Sequence, residues 1–93
     1  MIGSYEVRFT RSAKRALTHD LPAKVAAAAF EFIVGVLAEN PERIGKQLNE
    51  PLYPLYSARR GEYRIIFGVL RQEIVIEVVS IVHRRDAYRS PGS

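Results

Sequence analysis

The sequence contains no cysteine, and that absence removes disulfide staples, thiolate zinc sites and thiol catalysis together. A reducing compartment fits such a chain. No apolar run is long enough to cross a bilayer, and Met1-Ile2-Gly3-Ser4-Tyr5-Glu6 lacks a basic region followed by an apolar stretch, so the expected location is cytoplasmic, with no membrane partner. Also missing are a GxxxxGK[ST] loop, an HExxH helix, a GxSxG elbow and any close pair of His/Asp ligands. Neither a metal site nor another cofactor is therefore expected. There is no internal repeat and no low-complexity segment.

What remains is 93 residues with 47% apolar and 26% charged side chains, the composition of one globular domain with one small core. The net charge of +4 favours an acidic partner, either nucleic acid or protein. Basic residues divide evenly about Lys46, but every one after it is arginine: Arg59, Arg60, Arg64, Arg71, Arg84, Arg85 and Arg89. Arginine grips phosphate through a planar fork. A GC-rich genome would also enrich arginine, so position must carry the argument.

Tyr5 to Phe9 alternates apolar and polar residues as a half-buried strand does. Thr10 or Ser12 can cap a short helix through about His19, and Asp20-Leu21-Pro22 breaks it. From Ala23 to Asn40, Val25, Ala29, Phe32, Ile33, Val36 and Leu37 recur at helical spacing, which predicts an amphipathic core helix. Asn40-Pro41 ends that helix, and 42–51 reads as a loop. Three strand-like runs follow, about 52–59, 62–70 and 73–83, with Arg60-Gly61 and Arg71-Gln72 as turns. The last run is nearly all apolar and belongs inside the sheet.

The predicted fold is α+β. A small, mostly antiparallel four-stranded sheet in the order β-α-α-β-β-β carries a helical hairpin on one face, and the other face is left open for function. A domain over 1–88 and a short flexible tail over 89–93 are expected.

With a two-residue loop at Arg60-Gly61, Arg59 would face Glu62 and Ser57 would face Arg64, all on the uncovered side. Arg64 in mid-strand then either pairs with Glu62 or Glu77 or holds a phosphate. His83 follows the last strand and is able to exchange protons near neutral pH, or is merely structural. Arg84 and Arg85 would point in alternate directions. Tyr88 is a hydrophobic plug, a stacking platform for a base, or a proton donor. Such a set suffices for RNA cleavage by the RNA's own 2′-hydroxyl, which requires orientation, proton transfer and charge stabilisation.

Four pieces carry a family resemblance: Arg8-Phe9-Thr10 leading into Ala13 and Leu17, Gly45-Lys46-Gln47-Leu48, the run Leu55 to Phe67 with its RGxYRxxF pattern, and His83-Arg84-Arg85-Asp86-Ala87-Tyr88. In that order the chain resembles RelE-type toxins of the RelE/ParE superfamily, over about Tyr5 to Tyr88. The resemblance implies a microbial-RNase-like fold and a metal-independent mRNA interferase that cuts mRNA in the ribosomal A site. It implies that Arg64 holds the scissile phosphate, that Arg84 stabilises the transition state or leaving group, and that Tyr88 orients the base. His83 is the candidate for proton transfer, and Arg59, Arg60, Lys46 and Arg85 are the candidates for RNA binding. The implied partner is a cognate antitoxin that masks the basic face, with DNA bound only through the antitoxin. A ParE-like toxin that inhibits DNA gyrase without cutting RNA is the alternative.

The chain departs from the archetype in two places. Where the archetype has lysines on the strand before the tight turn, this chain has Ser57, Arg59 and Arg60, and where it has lysine, this chain has His83. Several relatives carry histidine at that second position, so the assignment of the proton-transfer group stays open. The archetype also ends in a helix, whereas five residues follow Tyr88.

Overall fold

The computed structural model describes residues 4–86. It opens with strand β1 (Glu6–Phe9), whose outward Glu6 and Arg8 alternate with half-buried Val7 and Phe9. Thr10 then starts the first helix: its Oγ1 accepts from Ala13 N at 3.2 Å and donates to Val79 O at 2.6 Å. One side chain thus satisfies an orphan helix donor and ties the helix to the last strand. Helix α1 (residues 11–20) winds as an α-turn over Arg11–Arg15 and widens to a π-turn over Ala16–Asp20.

Helix α2 (residues 23–39) starts after Pro22 and is α-helical over Ala23–Phe32, then π-helical over Ile33–Leu37. Ala29, Ile33 and Leu37 are buried, as the periodicity predicts, but Val36 is 52% exposed. In a π-turn the hydrogen bonds run i to i+5, so a residue three positions on no longer returns to the same side. Asn40-Pro41 ends this helix and begins a short one, α3 (Pro41–Ile44).

The sheet has five strands where the sequence predicts four. The extra one, β2 (Lys46–Gln47), lies in the segment read as a loop, too short to show any periodicity. It pairs antiparallel with β3 (Tyr56–Arg60), followed by β4 (Tyr63–Leu70) and β5 (Val75–His83), in the order β1-β5-β4-β3-β2. β1 runs parallel to β5 and the other pairs are antiparallel, so the last apolar run does lie inside the sheet. A 3₁₀ turn, Arg84–Asp86, follows it.

The β3–β4 register differs from the predicted one. The loop residues are Gly61 and Glu62, so Arg59 faces Arg64 and Ser57 faces Ile66. Gly61 has φ +63° and takes the first loop position, where a two-residue hairpin turn of the II′ kind calls for glycine. The offset is even, so the parity survives: Ser57, Arg59 and Arg64 share one face.

The helices cover the other face. Ala13 and Ala16 of α1 and Ile33 and Leu37 of α2 pack on Ile65, Phe67, Ile76 and Val78, an arrangement whose burial supplies most of the folding drive. The face opposite is not wholly bare. Segment 48–55 folds across it, with Leu55 against Gly68 and Leu48 N bonded to Leu55 O at 2.8 Å. No helix among the described residues is long and apolar enough to cross a membrane.

Candidate functional site

Strand pairing collects the cations. Lys46 of β2 faces Ser57 of β3, and Arg59 of β3 faces Arg64 of β4, all on the side away from the helices. Directly opposed side chains on neighbouring strands have Cβ atoms roughly 4.5–5.5 Å apart, where like charges repel. Arg59 is exposed and its Nε reaches Gly61 O at 3.5 Å, while Arg64 is half-buried. Arg64, Lys46 and Ser57 line one pocket of about 190 Å³.

The end of β5 divides the other candidates. Arg64 faces Val82 and Tyr63 faces His83, so His83 stands on the helix side of the sheet, with its ring edge-on to Tyr63 at 5.2 Å. Its Nδ1 accepts from Arg85 N at 3.2 Å, which leaves Nε2 as the protonated nitrogen of the neutral ring. Arg84 folds back on the hairpin loop: its N donates to Glu62 O at 2.7 Å, and its Nε lies 2.8 Å from Glu62 Oε1 as an ion pair. Glu62, a candidate partner of Arg64 in the sequence, is thus the partner of Arg84. Glu77, the other candidate, lies opposite Gly68 and Arg8. Arg85 is exposed. Arg60 faces Tyr63 and, with Lys24 and Val25 of α2, lines a separate 250 Å³ pocket on the helix side. Tyr88 lies outside the described residues.

The structure therefore brings Lys46, Arg59 and Arg64 together and sets Arg60 and His83 on the opposite face. Arg84 stands at the sheet's end, held by Glu62. Gln47, Leu48 and Asn49 join Lys46, Ser57 and Arg64 around the pocket; the first two lie in a motif that carries the resemblance, but the sequence singles out none of the three as a site residue. A segment without periodicity gave no sign that it would fold over the sheet.

A second, tighter network lies at the far end of the same strands. Arg71 pairs with Glu42 of α3 through Nη2 and Oε2, and Tyr56 donates to the same carboxylate oxygen at 3.3 Å. The Glu42 carboxylate holds the Arg71 guanidinium above its already high ordinary value. This cation is engaged in joining α3 to the sheet.

Comparison with known proteins agrees with this architecture. A family model described as the ParE toxin of type II toxin-antitoxin system, parDE, matches residues 7–88. The chain is 41% identical over 85 residues to Toxin RelG of Mycobacterium tuberculosis, covering 91% of this chain and 97% of that protein. It is 42% identical over 85 residues to Toxin RelE of the same organism, covering 91% and 87%. Its fold is similar to that in the RelBE2 toxin-antitoxin complex of M. tuberculosis, with TM-score 0.84, 38% identity and coverage of 92% and 98%. The chain belongs to the RelE/ParE family of toxins from type II toxin–antitoxin systems, and within it is similar to proteins named RelE and RelG.

Proposed function

We propose that this toxin is a metal-independent endoribonuclease that cleaves mRNA in the ribosomal A site and so stops translation. The observation that carries the reading is the opposition of Arg59 and Arg64 beside Lys46 on the helix-free face. Adjacent like charges cost folding stability, and a phosphate between them offsets that cost.

In the reaction, the RNA 2′-oxygen forms a bond to phosphorus as the 5′-oxygen leaves. A base takes the 2′-hydroxyl proton and an acid returns one to the leaving oxygen. Arg64 and Arg59 hold the non-bridging oxygens as charge accumulates on them, a task that suits a group which does not give up its proton. Arg84, positioned by Glu62, meets the leaving group at the sheet's end. His83 presents Nε2 from the other face, so its part in proton transfer requires the RNA to pass around that end. Tyr88 orients the base. Lys46 and Arg85 contact flanking phosphates, while Arg60 serves RNA reaching the helix side. A single domain over 1–88 does this work in the cytoplasm.

Relatives of known structure occur as toxin–antitoxin complexes, which supports a cognate antitoxin for this chain as well. An acidic segment of that partner would mask the basic face, and DNA would be bound through it. The ParE description of the matching family model favours a second reading, gyrase inhibition without RNA cleavage.

Primer extension on mRNA from a translating extract separates the two. Ribosome-dependent cuts that disappear in Arg64→Ala with Arg84→Ala are expected. Poisoned supercoiling with intact mRNA would reverse the ranking.

A further inference from the structure

The pocket beside Arg64 has more in it than cations. Lys46, Gln47, Leu48, Asn49 and Ser57 line it with Arg64, and no acidic side chain is among the described residues that do so. Ser57 is 9% exposed, and its Oγ has no hydrogen-bond partner among the described residues. Burying a hydroxyl without a partner is costly. Such a group calls for a partner from outside the protein, a role that a ligand's polar atom can fill.

Asn49 is held by its backbone: its carbonyl accepts from Leu52 N at 3.0 Å and Tyr53 N at 3.1 Å. Its side-chain amide forms no hydrogen bond among the described residues. A fixed main chain with an uncommitted amide is suited to reading a partner's donors and acceptors.

At about 190 Å³ the pocket is smaller than the ~300–1,000 Å³ sites that take drug-sized ligands. One nucleotide unit fits that size better than two. The cations, the aliphatic Leu48 side chain, the hydroxyl and the amide that line it match, respectively, a nucleotide's phosphate, base, sugar and base edge.

We infer that this pocket is a nucleoside subsite for the residue whose phosphate Arg64 holds, with Ser57 Oγ bonded to the sugar and Asn49 reading the base. The inference rests on the RNA-cleaving reading above and adds a specificity determinant to it. The Asn49 amide presents one donor and one acceptor. An aspartate there would present acceptors only, which suits the adjacent N1–H and N2–H donors of guanine.

The test compares cut-site profiles over a random-codon mRNA library for wild type, Asn49→Asp and Asn49→Ala. Asn49→Asp is expected to move the preferred base at one nucleotide beside the cut toward guanine, and Asn49→Ala to flatten preference at that nucleotide alone. Unchanged profiles in both variants overturn the inference, even though cleavage itself persists. A second readout does not need cleavage. In NMR titrations of the full chain with each of the four 3′-mononucleotides, the Asn49 side-chain amide is expected to shift by amounts that depend on the base. Equal shifts for all four and for inorganic phosphate overturn the subsite. Base-dependent shifts in a protein that cuts no RNA uphold the subsite while removing the cleavage reading.

Discussion

The proposed function assigns Arg59 and Arg64 to an anion. Facing each other across β3 and β4, they repel, so removing one should relieve the protein rather than unfold it. Arg59→Gln is expected to leave Tm unchanged or raise it, while RNA cleavage falls by about 10- to 100-fold, the worth of one charge-assisted contact. A drop in Tm with normal cleavage would assign Arg59 to structure. Ile74 poses the opposite case. It sits in the β4–β5 turn at φ 55°, a left-handed conformation that a β-branched residue adopts only at a cost, and its side chain is 54% exposed. Asparagine tolerates that conformation, so Ile74→Asn should raise stability by about 1 kcal/mol in a urea melt with cleavage unaltered. Neither feature was fully legible in the sequence. Alternation placed Arg59 and Arg64 on one face because parity needs only the strand period, but which residue faced which depended on the loop, where Gly61 claimed the first position. Ile74 reads as an ordinary strand residue, since nothing in its type announces the turn.

The elements around the site are set by close contacts that composition does not reveal. β2 exists because α3 ends at Gly45, whose backbone passes against the buried ring of Phe67: a Cβ there would lie 2.6 Å from Phe67 Cζ and 3.0 Å from Pro41 O. Phe67 is fully buried and stacks on Tyr56 at 5.6 Å, so it has little room to give. Gly45→Ala should therefore cost about 1–3 kcal/mol, read as a lower urea midpoint. Because β2 carries Lys46 into the site, RNA affinity should fall with it. Retained stability would show that the ring can move. At the other end, the hairpin loop grips the turn after β5 through Glu62 and Arg84. Glu62→Gln removes the ion pair but leaves the backbone bond from Arg84 N to Glu62 O. If Glu62 positions Arg84, turnover should fall with little change in KM and recover partly in Glu62→Asp. A tighter KM with unchanged turnover would mean that the carboxylate only competes with the RNA. The three long strands and both main helices were legible from period and caps. The two-residue strand was not, because two residues carry no period.

Across the whole molecule, charge is sorted by sheet position rather than along the chain. A cut after Lys46 leaves seven basic and five acidic residues on each side, yet folding moves Lys46, Arg59 and Arg64 to the β2–β3–β4 side of the helix-free face. At the β1 edge, Arg8 sits between Glu6 at 3.4 Å and Glu73 at 3.8 Å, so that cation is already neutralised. The net charge of +4 thus understates the local field where RNA is proposed to lie and overstates it elsewhere. Salt dependence distinguishes placement from bulk charge. If Lys46, Arg85 and the Arg59–Arg64 pair each neutralise one phosphate of single-stranded RNA, the slope of log affinity against log salt should be about −2, a loss of about 20-fold between about 50 and about 200 mM. Lys46→Ala or Arg59→Ala should each make the slope shallower, Lys46→Ala by about 0.7. Lys24→Ala removes the same unit charge from the helix side, beside Arg60 and Tyr63, and should leave the slope where it was. Equal effects from all three variants would mean that the RNA responds to net charge alone and that the Arg59–Arg64 face has no special claim on it.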